Sequence, residues 1–147
     1  MPSRKIFQIL KKSNDIDIEN PYNRYDTLAS STDLSHLFEV LQSVKDKNGN
    51  NAVLTANCIM ANPNFKAIEA NRFNKYFYET LTDTFERYNN KDALNIWQEG
   101  IKSKIFQPQF HGREHINVPF WMKKLKYGHK GVRTAFNCGV FVQISVI

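Results

Sequence analysis

Apolar positions recur along this chain at helical and strand spacings, and together they predict an alternating series of elements. Ile6, Ile9 and Leu10 follow Ser3, a residue suited to capping, and mark a short first helix. Residues 14–30 form a polar connection in which Asn20-Pro21-Tyr22-Asn23 signals a turn. Leu34, Leu37, Phe38 and Leu41 lie at i, i+3, i+4 and i+7, the stripe of a second helix starting near Thr32 or Asp33. Asp46-Lys47-Asn48-Gly49-Asn50 ends it, with Gly49 as a left-handed stop. Residues 52–57 then read as a short buried strand whose apolar run reaches Ala61 and breaks at Asn62-Pro63.

The aromatic-rich stretch 65–90 shows no clear period, although Leu81, Phe85 and Tyr88 suit a helix. Leu94, Trp97 and Ile101 are the inward positions of another helix over 91–104. Residues 105–110 form a second strand candidate, weakened by Pro108. Asn117 caps a helix with Pro119 in its first turn and Val118, Trp121, Met122 and Leu125 as its buried stripe. This order predicts an α/β fold with a parallel sheet. The opening helix with no strand before it, and the apolar tail 139–147, lead us to expect a single partial domain over 1–147, truncated at both ends.

Composition changes this picture little. At 147 residues, 41% hydrophobic and 23% charged, the chain is ordinary for a globular domain. No stretch reaches the roughly 20 apolar residues of a membrane span, and the N-terminus lacks a signal-peptide pattern. We therefore expect a cytoplasmic protein. The net charge of +6 is densest at Lys123, Lys124, Lys126, His129, Lys130 and Arg133. Those lysines lie opposite the stripe of Trp121 and Leu125, which reads as a solvated helix face, so no nucleic-acid partner is expected. Cys58 and Cys138, eighty positions apart, fit neither a disulfide framework nor a zinc ribbon and read as buried thiols.

The chemistry concentrates in Phe110-His111-Gly112-Arg113-Glu114-His115, between a strand and a capped helix. Loops after parallel strands gather ligands, imidazole is a common zinc ligand, and Gly112 would let the backbone turn. His111 and His115 are candidate metal ligands; the bland alternative is two surface histidines beside an Arg113–Glu114 ion pair. Catalytic zinc usually takes three protein ligands, so a carboxylate would still be needed. Arg113 either meets substrate or forms a structural salt bridge. Asp26 either reaches the site from a loop or caps a turn. Thr55 and Asn57 alternate with apolar neighbours and would either face a polar cavity or make plain buried hydrogen bonds. Phe73, Tyr76, Phe77 and Tyr78 are core candidates that could also stack on sugar rings.

Residues 107–115, Gln-Pro-Gln-Phe-His-Gly-Arg-Glu-His, resemble the second motif of polysaccharide-deacetylase-like proteins of the NodB-homology, carbohydrate esterase 4 type. Tyr25-Asp26-Thr27-Leu28-Ala29-Ser30, the helix after it, and Leu54-Thr55-Ala56-Asn57 through Ala61-Asn62-Pro63 follow the family's order, so the likeness runs from about Ser3 to Gly139. It implies a distorted (β/α) barrel of the glycoside hydrolase/deacetylase type. It also implies a divalent metal, often zinc, held by an aspartate and two histidines, here His111 and His115. The substrate class implied is an acetylated polysaccharide, with Arg113, Asn57 and Asp26 as candidate substrate contacts. The family's paired aspartates, which supply the general base and the carboxylate ligand, would stand upstream of Met1, so the isolated chain is expected to be inactive. The alternative reading is a non-catalytic α/β carbohydrate-binding or structural module.

Overall fold

The computed structural model describes residues 4–12, 16–17, 19–25 and 27–141. The expected cap Ser3, the loop residue Asp26 and most of the apolar tail lie outside the described residues. In chain order the elements are α1 (Arg4–Lys11), α2 (Pro21–Tyr25), α3 (Ser31–Ser43), β1 (Leu54–Ile59), β2 (Ala61–Pro63) and α4 (Phe65–Ala70). Then come β3 (Tyr78–Thr80), α5 (Leu81–Arg87), α6 (Asp92–Lys102), β4 (Phe106–Gly112), α7 (Val118–Lys126) and α8 (Lys130–Asn137). The class is mixed α/β. Among the described residues the strands form two separate pairs, β1 with β4 and β2 with β3, and they do not close into a barrel. No helix among these residues is long and apolar enough to cross a membrane.

The helices start where short polar side chains can satisfy their first N–H groups. Ser30 and Asp33 make a reciprocal capping box on α3, and Thr80 and Asp83 repeat it on α5. Asn64 caps α4, and Asn117 caps α7 by accepting from the Phe120 N–H at 3.1 Å, as the sequence led us to expect. Five helices end in one way. The N–H two residues past the cap reaches back to the carbonyl five residues earlier, as in Phe73 to Ile68 and Ile105 to Gly100, both at 3.1 Å. The residue before it takes a positive φ: Arg72 at 52°, Asn89 at 52°, Lys104 at 58°, Gly128 at 76° and Gly139 at 70°. Three of these five positions are not glycine, so no glycine marks the stops of α4, α5 and α6, although the helix expected over 91–104 ends within two residues of α6.

The chain divides into two compact units, residues 1–28, 63–78 and 115–147 in the first, 29–62 and 79–114 in the second. The first is helical. Ile68, Trp121, Leu125, Val132 and Phe136 form its buried centre, with Phe65, Phe73, Tyr76 and Phe77 packed around it. Arg133 ties this centre together: its guanidinium lies 3.6 Å from the Phe73 ring centroid while its Nε donates to the Leu125 carbonyl at 2.7 Å. Leu10, Ile16 and Ala135 make a smaller cluster that Ile6 and Phe7 join. Ile9, expected inward on α1, is instead exposed, because Phe7 and Leu10 complete the inward stripe. The turn expected at 20–23 is the start of α2, for which Pro21 supplies a pre-set φ at the first helical position.

In the second unit β1 and β4 pair in parallel, Leu54 with Phe106 through Cys58 with Phe110. The parallel prediction holds. The helices α3 and α6 cover one face of this pair, where Phe38, Ile105 and Phe106 are buried against Leu37, Leu41, Ala56, Ile96 and Trp97. Gly100 lets α6 approach this closely: a Cβ there would run into the Phe38 ring and come within 2.9 Å of the Phe106 Cβ. The sequence prediction placed Ile101 inward, but it is exposed, and Ala93 and Gly100 take the buried positions. Gly49, expected to stop α3, instead serves the tight turn between Lys45 and Asn51, where Asp46 Oδ1 accepts from the N–H groups of Asn48 and Asn50.

Candidate functional site

The parallel pair sets the geometry of the site. Successive side chains on a strand point to opposite faces. Leu54, Ala56 and Cys58 therefore share a face with Phe106 and Pro108, the face covered by helices. Thr55 and Asn57 share the other with Gln107 and Gln109, and all four are exposed, so Thr55 and Asn57 are neither buried nor in a cavity as expected. The strand over 52–57 was expected to be buried, but only Cys58 is buried along β1. Burial pushes the Cys58 thiol up, against the pull of the Gln109 backbone N–H, so it stays protonated and inert at neutral pH. Cys138 is also a free thiol, half-buried at the end of α8.

The regular ladder fails at one point. Cys58 pairs with Phe110 and the next pair is Ile59 with Gly112, so His111 is the extra residue of a bulge at the C-terminal end of β4. Bulges re-aim side chains and are over-represented beside active sites. His111 is exposed there, and Gly112 follows at φ 154°, a backbone state that suits glycine. Met60 and Ala61 continue the pairing past the bulge, donating to the Gly112 and Arg113 carbonyls at 3.2 and 2.8 Å.

Arg113 forms the expected salt bridge. Its Nε and one terminal nitrogen donate to the two carboxylate oxygens of Glu114, at 2.5 and 2.7 Å. The Glu114 side chain is only 6% exposed, so this fork holds both oxygens in a partly dry setting. The boundary between the units falls after Glu114, so His115 belongs to the first unit, where it is half-buried beside Ile116 of the aromatic core. His36 is exposed on α3. His129, placed by the sequence at the basic end of α7, also caps α8, accepting from the Val132 N–H through Nδ1 at 3.4 Å.

Among the described residues no group of three or more His, Cys, Asp and Glu could hold a metal ion. His111 and His115 thus offer two donors at most, short of the three that catalytic zinc takes. Glu114 adjoins them in sequence, but its oxygens are engaged by Arg113. Of the aromatic candidates, Phe73, Tyr76 and Phe77 pack in the core and Tyr78 is exposed. Sequence reasoning missed a polar knot in the second unit. Thr84, nearly fully buried, lies between Asn62 Nδ2 at 3.1 Å and Glu79 Oε1 at 3.0 Å, and Arg87 pairs with the same carboxylate at 2.8 Å. Leu81, Phe85 and Tyr88 marked a helix here, and the Thr80-to-Asp83 spacing of its capping box is the signal that could have located its start. Comparison with protein-family models, with curated proteins and with solved structures gives no match.

Proposed function

We propose that this chain carries one metal-binding half of a polysaccharide-deacetylase-like site on a partial (β/α) barrel, with His111 and His115 as ligands of a divalent ion, zinc. The observation that supports it most is the bulge. It singles out His111 at the C-terminal end of a parallel strand pair, the edge where α/β proteins gather their chemistry. Four residues of chain keep the two histidine Cα atoms within about 14 Å of each other whatever the backbone does between them. The remaining carboxylate ligand is one that the described residues do not supply.

In this reading His111 and His115 would hold the ion, which would supply an acidified water and polarise an acetyl carbonyl on the sugar. The histidines serve as neutral nitrogen donors. Arg113, paired with Glu114, stands between the two histidines in sequence and is a candidate contact for an acetyl oxygen. Asn57 and Asp26 are the remaining substrate contacts, and the proton-transferring acid and base are not among these residues. Zinc titration by calorimetry tests the reading. Saturable binding should be lost in both His111→Ala and His115→Ala. Binding that survives in both variants would overturn the assignment, and a chain that takes no zinc would leave the non-metal carbohydrate-binding module.

A further inference from the structure

We propose that the groove beside α7, lined by Phe120, Lys123, Lys124, Tyr127 and His129, binds a short segment of single-stranded nucleic acid. The groove has a volume of about 370 Å³ and lies wholly within the first unit. Phe120, Lys123, Lys124 and Tyr127 stand at i, i+3, i+4 and i+7, so they form one stripe of α7 and its cap, away from the buried Trp121 and Leu125. On the sequence those lysines read as a solvated face with no nucleic-acid partner, a reading that left out the two rings among them. Tyr127 is 77% exposed, and the Lys124 ammonium lies 5.2 Å from the Phe120 ring centroid. His129 accepts the Val132 N–H at Nδ1, so its neutral ring carries the proton on Nε2, a further donor in the lining.

Charge and spacing select the occupant. The net charge of +6 is not spread over the chain. Residues 1–28, 63–78 and 115–147 carry thirteen Lys and Arg against five Asp and Glu, and the second unit carries seven against nine. From His115 onward there is no acidic residue in the sequence. Among the described residues no carboxylate pairs with Lys123, Lys124, Lys126 or Lys130. Such an excess within one unit marks a polyanionic partner, and rings set among the cations favour one that stacks. Phe120 and Tyr127 are seven residues apart, about 10 Å along a helix axis, whereas successive stacked bases are about 3.4 Å apart. The rings are too far apart to share one base. A strand with about three steps between two stacked bases spans them, and the lysines between the rings meet its phosphates. A duplex keeps its bases inside the stack, and a free nucleotide would use one ring only. The groove shares no residue with the metal reading above.

The test is fluorescence anisotropy of the full chain with a labelled thymidylate strand of about eight nucleotides, titrated at several salt concentrations. Saturable binding that weakens as salt rises is expected. Tyr127→Ala removes an exposed ring, so its circular dichroism spectrum should match that of the native chain. Its binding should fall about fivefold or more, with the salt slope unchanged. The double variant Lys123→Ala, Lys124→Ala should instead lower the salt slope by about 1.4. No binding at low salt would overturn the proposal. So would binding undiminished in the folded Tyr127→Ala variant, which would leave a charged face alone. A duplex or a heparin oligosaccharide bound as tightly as the strand, or a mononucleotide bound as tightly, would overturn it too.

Discussion

At the scale of single residues, the sequence was most legible where polar side chains act on their own backbone. Asn117 was read correctly as a cap, and the Arg113–Glu114 ion pair was in view as the alternative to a metal site, because both depend on neighbours a few positions away. Gly100 was invisible for the opposite reason: its role is set by Phe38, distant in sequence, whose ring occupies the space a side chain would need. Gly100→Ala should gain about 1 kcal/mol of helix propensity and lose about 1–3 kcal/mol to overpacking. Since Phe38 is itself buried against Phe106, the larger cost should win. A lowered thermal midpoint is expected, and an unchanged or raised one would show that the Phe38 ring yields. Asp83 allows a second test. The Thr80 hydroxyl, and then the Thr80 backbone N–H, hold its carboxyl below the ordinary value of 3.8. A depressed folded value gives stability that is present above 3.8 and is lost as pH falls from there through the lower folded value. Asp83→Asn should therefore melt earlier than the native chain at neutral pH, with the gap closing in acid. A gap that persists in strong acid would assign the difference to something other than the carboxylate.

At the scale of elements, periodicity located α3, α6, α7 and the parallel pair, yet misjudged which faces they bury. Ile9 and Ile101 satisfy a helical stripe on paper but point outward, while small residues such as Ala93 and Gly100 occupy the contact. Hydrophobicity alone does not register a position chosen for its lack of volume. Three helices stop on non-glycine residues in the left-handed region, and Lys104 is the plainest case, exposed and at φ 58°. Lys104→Gly should relieve that strain and raise stability by about 0.5–1 kcal/mol, less the entropy glycine adds to the unfolded chain. Chemical denaturation measures it, and a lower midpoint would show that the lysine side chain contributes more than its backbone costs. The bulge at His111 was not foreseen either. Residues 105–110 gave a strand, but nothing local marks where one strand gains a residue over its partner.

At the scale of the whole molecule, the interleaving of the two units has a consequence for how the chain responds to being cut. The chain passes between them after residues 28, 62, 78 and 114, so neither unit is a single stretch of sequence. A trypsin nick after Arg72, at the end of α4, would leave fragments 1–72 and 73–147. The first would hold Ile68 and Phe38, and the second would hold their core partners Trp121 and Phe106. Each piece would then own half of each hydrophobic centre, and neither could leave without opening both. A nicked molecule of this kind should run as intact protein on a sizing column and fall apart only in denaturant. A cleavage site that would separate most two-part chains into their halves would here leave a complementing pair of fragments.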